Sequence, residues 1–384
     1  MTSRVFSGLV DQERVITSLE SAISAARNGS TGQEMTHAWL FTGPPGSGRS
    51  NAAKAFAAAL ICKNDGCGEC TECMTVLNGT HPDVEILDVS GVSIKIDEIR
   101  EAVNRSVWGA STSPWRIVVI EDCDRMTEAA ANALLKALEE PASQTIWLLC
   151  APTLQDVLPT IRSRCRHLNL KTPSATEIAK FLQKSFNIEK SDAELAARIS
   201  HGHIGRAKGF LKDDTFKKSR RQYFELLFTI KNESSAIKAA GRFLEIATEK
   251  SNSLLSERSE REIDELKSAL QGTGRSLVSG GAKAVKDLEK DQKSRLNRAI
   301  RDELDGALLD YSTFFRDALL DLEQRINSDL SEEIDKIAEK FKREEIAQLL
   351  SVISQVRELL TTNAAQLLLI ERVFLTFASL NRGN

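Results

Sequence analysis

The chain has 384 residues, 27% charged and 41% hydrophobic, with 51 basic against 54 acidic side chains and a formal net charge of -3. That length exceeds one ordinary domain and predicts two or three. The near-neutral balance excludes a protein that wraps nucleic acid by bulk charge alone. No apolar run approaches the roughly eighteen residues of a bilayer span and the first residues lack a signal-peptide core, so the expected location is the cytoplasm, with no membrane role.

Residues 10–26 carry Val15, Ile16, Leu19, Ile23 and Ala26 at helical spacing, and the polar residues 28–33 separate this helix from the apolar run 37–42. Gly43-Pro44-Pro45-Gly46-Ser47-Gly48-Arg49-Ser50 follows, and an alanine-rich helical run, 52–60, comes after it. Strand, glycine loop and helix in that order form a phosphate-binding loop, in which Gly43, Gly46 and Gly48 let backbone N–H groups converge on phosphate oxygens at a helix N-terminus. Ser50 is placed to ligate Mg²⁺. Arg49 stands where the pattern has lysine, and a planar guanidinium is no substitute for a slim ammonium at the terminal phosphates. Nucleotide binding, with ATP and Mg²⁺ as candidates, is therefore expected more firmly than hydrolysis.

Cys62, Cys67, Cys70 and Cys73 stand in a C-x4-C-x2-C-x2-C arrangement with Gly66 and Gly68 between them. Four thiolates in one short loop can close a tetrahedral Zn²⁺ site, and with every position filled by protein the ion would be structural. Residues 83–87 read as a strand and 94–107 as a helix with Ile96, Ile99, Val103 and Val107 on one face. Arg116-Ile117-Val118-Val119-Ile120 is a β-branched run suited to a central parallel strand. It ends at Glu121-Asp122, where open α/β sheets bind ligands, which makes both carboxylates candidates for holding Mg²⁺ and orienting water. Thr127 is placed to cap a helix over 128–140 that Pro141 ends, and 146–150 reads as another buried strand. Arg162, Arg164 and Arg166 alternate in the next segment; they suit either a solvated face or the contact of an arginine with a phosphate held by another subunit.

The combination of Gly43 to Ser50, the four-cysteine loop, the run from Ala129 to Pro141 and the triplet Ser163-Arg164-Cys165 resembles the bacterial DNA polymerase III clamp-loader subunits of the AAA+ class. Among these it most resembles the delta prime subunit, in an actinobacterial form, strongly over about the first two hundred residues. The resemblance implies an α/β module of five parallel strands with flanking helices over 1–170, a helical lid over 171–213 and an all-α collar over 214–384. It also implies that Arg164 acts in trans as the finger reaching a neighbour's ATP site and that Arg206 is the lid's second nucleotide sensor. The implied partners are the tau/gamma and delta subunits, the sliding clamp and, through the complex, primed DNA.

Arg49, the Glu121-Asp122 order and Ala151-Pro152 depart from the motor subunits of that class, each in a direction that weakens hydrolysis. The alternatives are a tau/gamma-type motor ATPase and a metal-dependent helical scaffold with no nucleotide role. Linker composition at 171–176 marks the first boundary, and residues 272–281 read as a loop between helices of the last part. Two apolar stripes there, Ala299, Leu304, Leu308 and Leu309, and Leu349, Leu350, Ile353, Val356 and Leu360, suit bundle core and subunit-docking surface equally.

Overall fold

The computed structural model describes residues 3–28, 34–87, 93–212, 214–270, 281–360, 362 and 364–382. Most of the polar loop expected at 28–33, and all but Gly281 of the loop expected at 272–281, lie outside the described residues. The chain divides into two compact units, Met1–Lys208 and Gly209–Asn384. Among the described residues, no helix is long and apolar enough to cross a membrane.

The first unit opens with a 3-10 turn, Arg4–Gly8, and helix α1, Glu13–Arg27. There follow β1 Ala38–Thr42, α2 Arg49–Ile61, α3 Thr71–Leu77, β2 Val84–Leu87, α4 Ile96–Val107, β3 Arg116–Ile120, α5 Glu128–Glu139 and β4 Thr145–Ala151. The single turn α6, Pro159–Arg162, and the strand β5, Arg166–Asn169, complete the sheet, and α7 Ala175–Phe186 and α8 Lys190–Ile199 come after it. Helix α9, Ile204–Lys212, carries the division between the units.

All strand pairings are parallel, in the order β2-β3-β4-β1-β5. The three inner strands are buried at every position, because helices cover both faces, and this is why they read as unbroken apolar runs. Successive side chains still alternate. Trp39, Phe41, Ile117, Val119, Ile146 and Leu148 pack with α1 and α2, whereas Leu40, Val118, Ile120, Trp147 and Leu149 pack with α4 and α5. The two edge strands are shorter and partly polar, as one-sided pairing permits, and β5 (Arg166-His167-Leu168-Asn169) carries no apolar run that sequence periodicity could detect. Thr127 caps α5 as expected, its Oγ1 accepting from the Ala130 N–H at 3.2 Å. The cap of α7 is Ser174, whose Oγ accepts from the Glu177 N–H at 3.2 Å, so that helix starts inside the stretch of linker composition at 171–176.

The second unit holds α10 Asp214–Thr229, α11 Glu233–Leu270, α12 Gly281–Asp317, α13 Ser331–Lys340, α14 Arg343–Leu360 and α15 Gln366–Arg382. Its core is aromatic: Tyr311 lies against Phe224, Phe243, Phe315 and Phe374. Leu304 and Leu308 of one apolar stripe, and Leu349, Ile353, Val356 and Leu360 of the other, are buried in this core, which assigns them to the bundle interior. Helices α11 and α12 run antiparallel, with Lys250 paired to Glu303 at 2.8 Å and Glu262 to Arg295 at 2.6 Å.

The connection from α4 to β3 is pinned by one carboxylate. Asp83, buried just before β2, accepts from the N–H and hydroxyl groups of Ser111 and Thr112 and from the Ser113 N–H, at 2.6–2.9 Å. Burial pushes its pKa up, but these hydrogen bonds outweigh burial and hold it well below the ordinary carboxylate range. Because the folded-state value is depressed, the stabilisation is present above the unfolded-state pKa and is lost as pH falls. Asp83→Ala should lower the unfolding free energy by about 3 kcal/mol at pH 7. In urea titrations the gap between the two proteins should narrow below about pH 4, where the unfolded carboxylate takes up its proton.

Candidate functional site

The phosphate loop hangs between β1 and α2. The Gly43 N–H donates to the Ala151 and Pro152 carbonyls at 3.3 and 3.1 Å, which fixes the loop to the end of β4. A side chain at Gly43 would meet Ser47 Oγ at 2.5 Å and the Leu170 carbonyl at 2.7 Å, so no larger residue fits there. Gly46 and Gly48 have φ of 86° and 91°, in the left-handed region that glycine enters at no steric cost. Gly48 caps α2 without a side chain, which leaves the first N–H groups of that helix facing outward from its positive end. Ser50, in the first turn of α2, is half-buried.

Arg49 folds back over this loop. One guanidinium nitrogen donates to the Gly43 carbonyl at 2.7 Å and the other to Asp122 Oδ1 at 2.9 Å. Asp122 occupies the left-handed region at φ 51°, which aspartate tolerates better than most side chains. Lys54, one turn further along α2, places its ammonium 2.7 Å from Glu121 Oε1. Glu121 and Asp122, expected to face a metal and water, each face a cation of α2 instead. Asp124 nearby is pushed up, first by burial and then by the charge of Asp122.

The turn between α8 and α9 contributes a residue that sequence patterns did not single out. His203 packs its backbone and ring on Gly46, 2.8–2.9 Å from where a Cβ would stand, and it also receives the Arg206 N–H on Nδ1 at 3.2 Å. Burial, then the charge of Arg206, lowers the His203 pKa, so the ring over the loop is neutral at neutral pH. Lys54 could have been noticed as the one cation in an alanine-rich run; nothing local distinguishes His203.

The three alternating arginines have different surroundings. Arg166 donates to the Glu34 carbonyl at 2.6 Å and lies 4.9 Å over the Trp39 ring, and Arg162 donates to the Leu154 carbonyl at 3.3 Å. Arg164 donates to the Thr160 carbonyl at 2.7 Å and pairs with Glu139, an acid 49% exposed at the end of α5. A pair so open to water is held weakly and can be exchanged for another anion.

The four cysteines come together. All four Sγ atoms lie within 4.8 Å of one another, and Cys62 Sγ is 3.7 Å from those of both Cys67 and Cys70. Four sulfurs about 2.3 Å from a central ion would stand about 3.8 Å apart, so the donor set fits a thiolate-bound metal. The Asn64, Cys70 and Cys73 N–H groups donate to cluster sulfurs at 3.3–3.4 Å, aided by left-handed turns at Gly66 and Gly68. Burial pushes the Cys62 thiol up, yet N–H groups of Cys67 and Asn64 outweigh it and bring the value to about 6; burial raises Cys73. The loop rests on the N-terminal turn, with the Val5 N–H donating to the Gly66 carbonyl at 3.1 Å and Phe6 buried beneath. By contrast Cys165 is pushed up to about 12 by burial, and Cys123 and Cys150 are raised by the same cause, so these thiols stay protonated.

A parallel sheet in this order, with a glycine phosphate loop after β1 and an acidic pair after β3, defines a P-loop module of the AAA+ class followed by a helical unit. Residues 16–174 match the family described as DNA polymerase III, delta subunit. Over that stretch the chain is similar to subunits of DNA polymerase III. It is 36% identical over 163 residues to DNA polymerase III subunit delta' of Pseudomonas aeruginosa, covering 41% of this chain and 50% of that one. It is 29% identical over 215 residues to DNA polymerase III subunit tau of Bacillus subtilis, covering 54% of this chain and 37% of that one. The chain thus spans half or less of the length of these two relatives. A DNA polymerase III gamma subunit-related protein from Thermotoga maritima superposes with a TM-score of 0.48 at 16% identity, over 94% of this chain and 100% of that chain.

Purified under reducing conditions, the protein should carry one thiolate-bound metal ion per chain by elemental analysis. Cys70→Ser should remove most of it while leaving the far-ultraviolet circular dichroism of the α/β unit in place, since the core extends well beyond the loop. A metal-free native preparation would contradict the assignment.

Proposed function

We propose that this chain is a delta prime-type, non-motor subunit of the DNA polymerase III clamp loader, which assists ATP-driven loading of a sliding clamp on primed DNA. In this reading Arg164 completes the ATP site of a neighbouring subunit. One observation carries it: Arg49 and Lys54 neutralise the acidic pair that a motor needs free for catalysis, while the acid paired with Arg164 is half exposed. A finger of this kind places guanidinium against charge developing on the transferred phosphoryl group.

The remaining roles follow from the same reading. Gly43, Gly46, Gly48, Arg49 and Ser50 would form a nucleotide site with little hydrolytic power, with Glu121 and Asp122 beside it and Arg206 as the lid's sensor. Zinc is the metal that four thiolates in a closed tetrahedral set favour, in a structural role. Residues 1–170, 171–213 and 214–384 would serve as module, lid and collar, and the partners would be the tau/gamma and delta subunits in the cytoplasm. The similarity to a tau subunit favours a second reading, a motor ATPase of the same complex. Turnover by the isolated chain separates the two: the non-motor reading expects none above background, also for Arg49→Lys.

A loader reconstituted with Arg164→Ala should assemble normally by gel filtration, yet its clamp- and DNA-stimulated ATPase should fall by about tenfold or more. Normal assembly with unchanged ATPase would leave Arg164 an ordinary surface residue and this chain a purely architectural subunit.

A further inference from the structure

The phosphate loop of an AAA+ module is ordinarily associated with a divalent cation, and here the acidic pair beside the loop does not fit one. Asp122 is bound by Arg49 at 2.9 Å and Glu121 by Lys54 at 2.7 Å. All four side chains are at most 25% exposed, so neither pair is an incidental surface contact. A divalent ion at these carboxylates would have to break both pairs. It would leave a guanidinium and an ammonium half-buried beside a second source of positive charge, an arrangement that costs more than either pair alone.

The two cations together carry the charge of one divalent ion, and they belong to the helix whose N-terminus forms the phosphate loop. Neither has its donors exhausted. A guanidinium has five N–H groups in a planar fork that matches phosphate oxygens. Arg49 uses two of its nitrogens toward Gly43 and Asp122, each with a further N–H, and Lys54 has three donors with one carboxylate oxygen beside it. A phosphate can therefore be added to this arrangement without removing its carboxylates.

We infer that Arg49 and Lys54 stand in for the divalent cation, so that the phosphate loop takes the phosphates of a nucleoside diphosphate without metal. This rests on the proposed nucleotide site. It goes beyond that proposal in assigning the neutralising charge to two side chains, one of which, Lys54, the phosphate-loop pattern does not include.

The test is titration of ADP into the full-length chain by calorimetry, in buffer freed of divalent ions over a chelating resin and again with millimolar Mg²⁺. Chelator is not added to the protein, so metal held by the cysteines is retained. The Kd should agree within about twofold between the two media. Arg49→Ala combined with Lys54→Ala, checked for folding by circular dichroism, should bind ADP at least about tenfold more tightly when Mg²⁺ is present than when it is absent. Native binding that tightens about tenfold or more with Mg²⁺ would overturn the inference and keep the nucleotide site. Failure to bind ADP in either medium would overturn both. Manganese paramagnetic resonance gives a second readout: native chain with ADP should hold no more Mn²⁺ than ADP alone does, and Mn²⁺ bound beyond that control would refute the substitution even if the double variant failed to fold.

Discussion

The ion pair between Arg49 and Asp122 ties together the two strand ends on which the ligand end of the sheet depends. Strands β1 and β3 are not neighbours, since β4 lies between them, so their ends stand about 10 Å apart. A side chain long enough to cross that gap, and forked so that it holds Gly43 and Asp122 at once, fixes the glycine loop relative to the acidic turn. The left-handed backbone at Asp122 and the glycine conformations of the loop are then held by the same contact. From the other side His203 closes on Gly46, so the loop is constrained by its own helix, by the third strand and by the turn between α8 and α9.

The same unit separates its sulfur chemistry by burial and hydrogen bonding. Cys123 and Cys150 lie in the sheet's packed interior and Cys165 in a largely buried turn, and each is held as a neutral thiol. Cys62, Cys67 and Cys70 of the loop accept backbone N–H groups that stabilise negative sulfur, which is what a metal requires. Seven cysteines in one chain thus divide into inert packing in one region and a candidate ligand set in another, without a disulfide among them.

Much of this was legible in the sequence because it rests on local repetition. The inner strands announce themselves as apolar runs, Thr127 and Pro141 bracket α5, and the cysteine spacing suffices to predict convergence of four sulfurs. Strand β5 escaped, because an edge strand with residues such as His167 and Asn169 needs no apolar run, and α3 escaped because its N-cap is a cysteine, Cys70. The pairing of Lys54 with Glu121 and the seat of His203 on Gly46 were out of reach for another reason: they are contacts between distant segments, and nothing near either residue in the chain encodes them. The division of the three arginines follows the same rule, since Arg166 is distinguished from Arg164 by the position of Trp39 and Glu34.

The seating of the N-terminal turn under the cysteine loop bears on how the chain is made. Residues 4–8 leave the ribosome before Gly66, which receives the Val5 N–H, and before the alanines of α2, which cover Phe6, with roughly fifty to sixty residues between them. At roughly 5–20 residues per second, this opening segment waits several seconds with an unsatisfied phenylalanine before its partners exist. It cannot seed the sheet. It joins as a late clasp, after α2 and the loop have formed, so synthesis leaves a short apolar stretch open to chaperones or neighbouring chains until α2 and Gly66 follow.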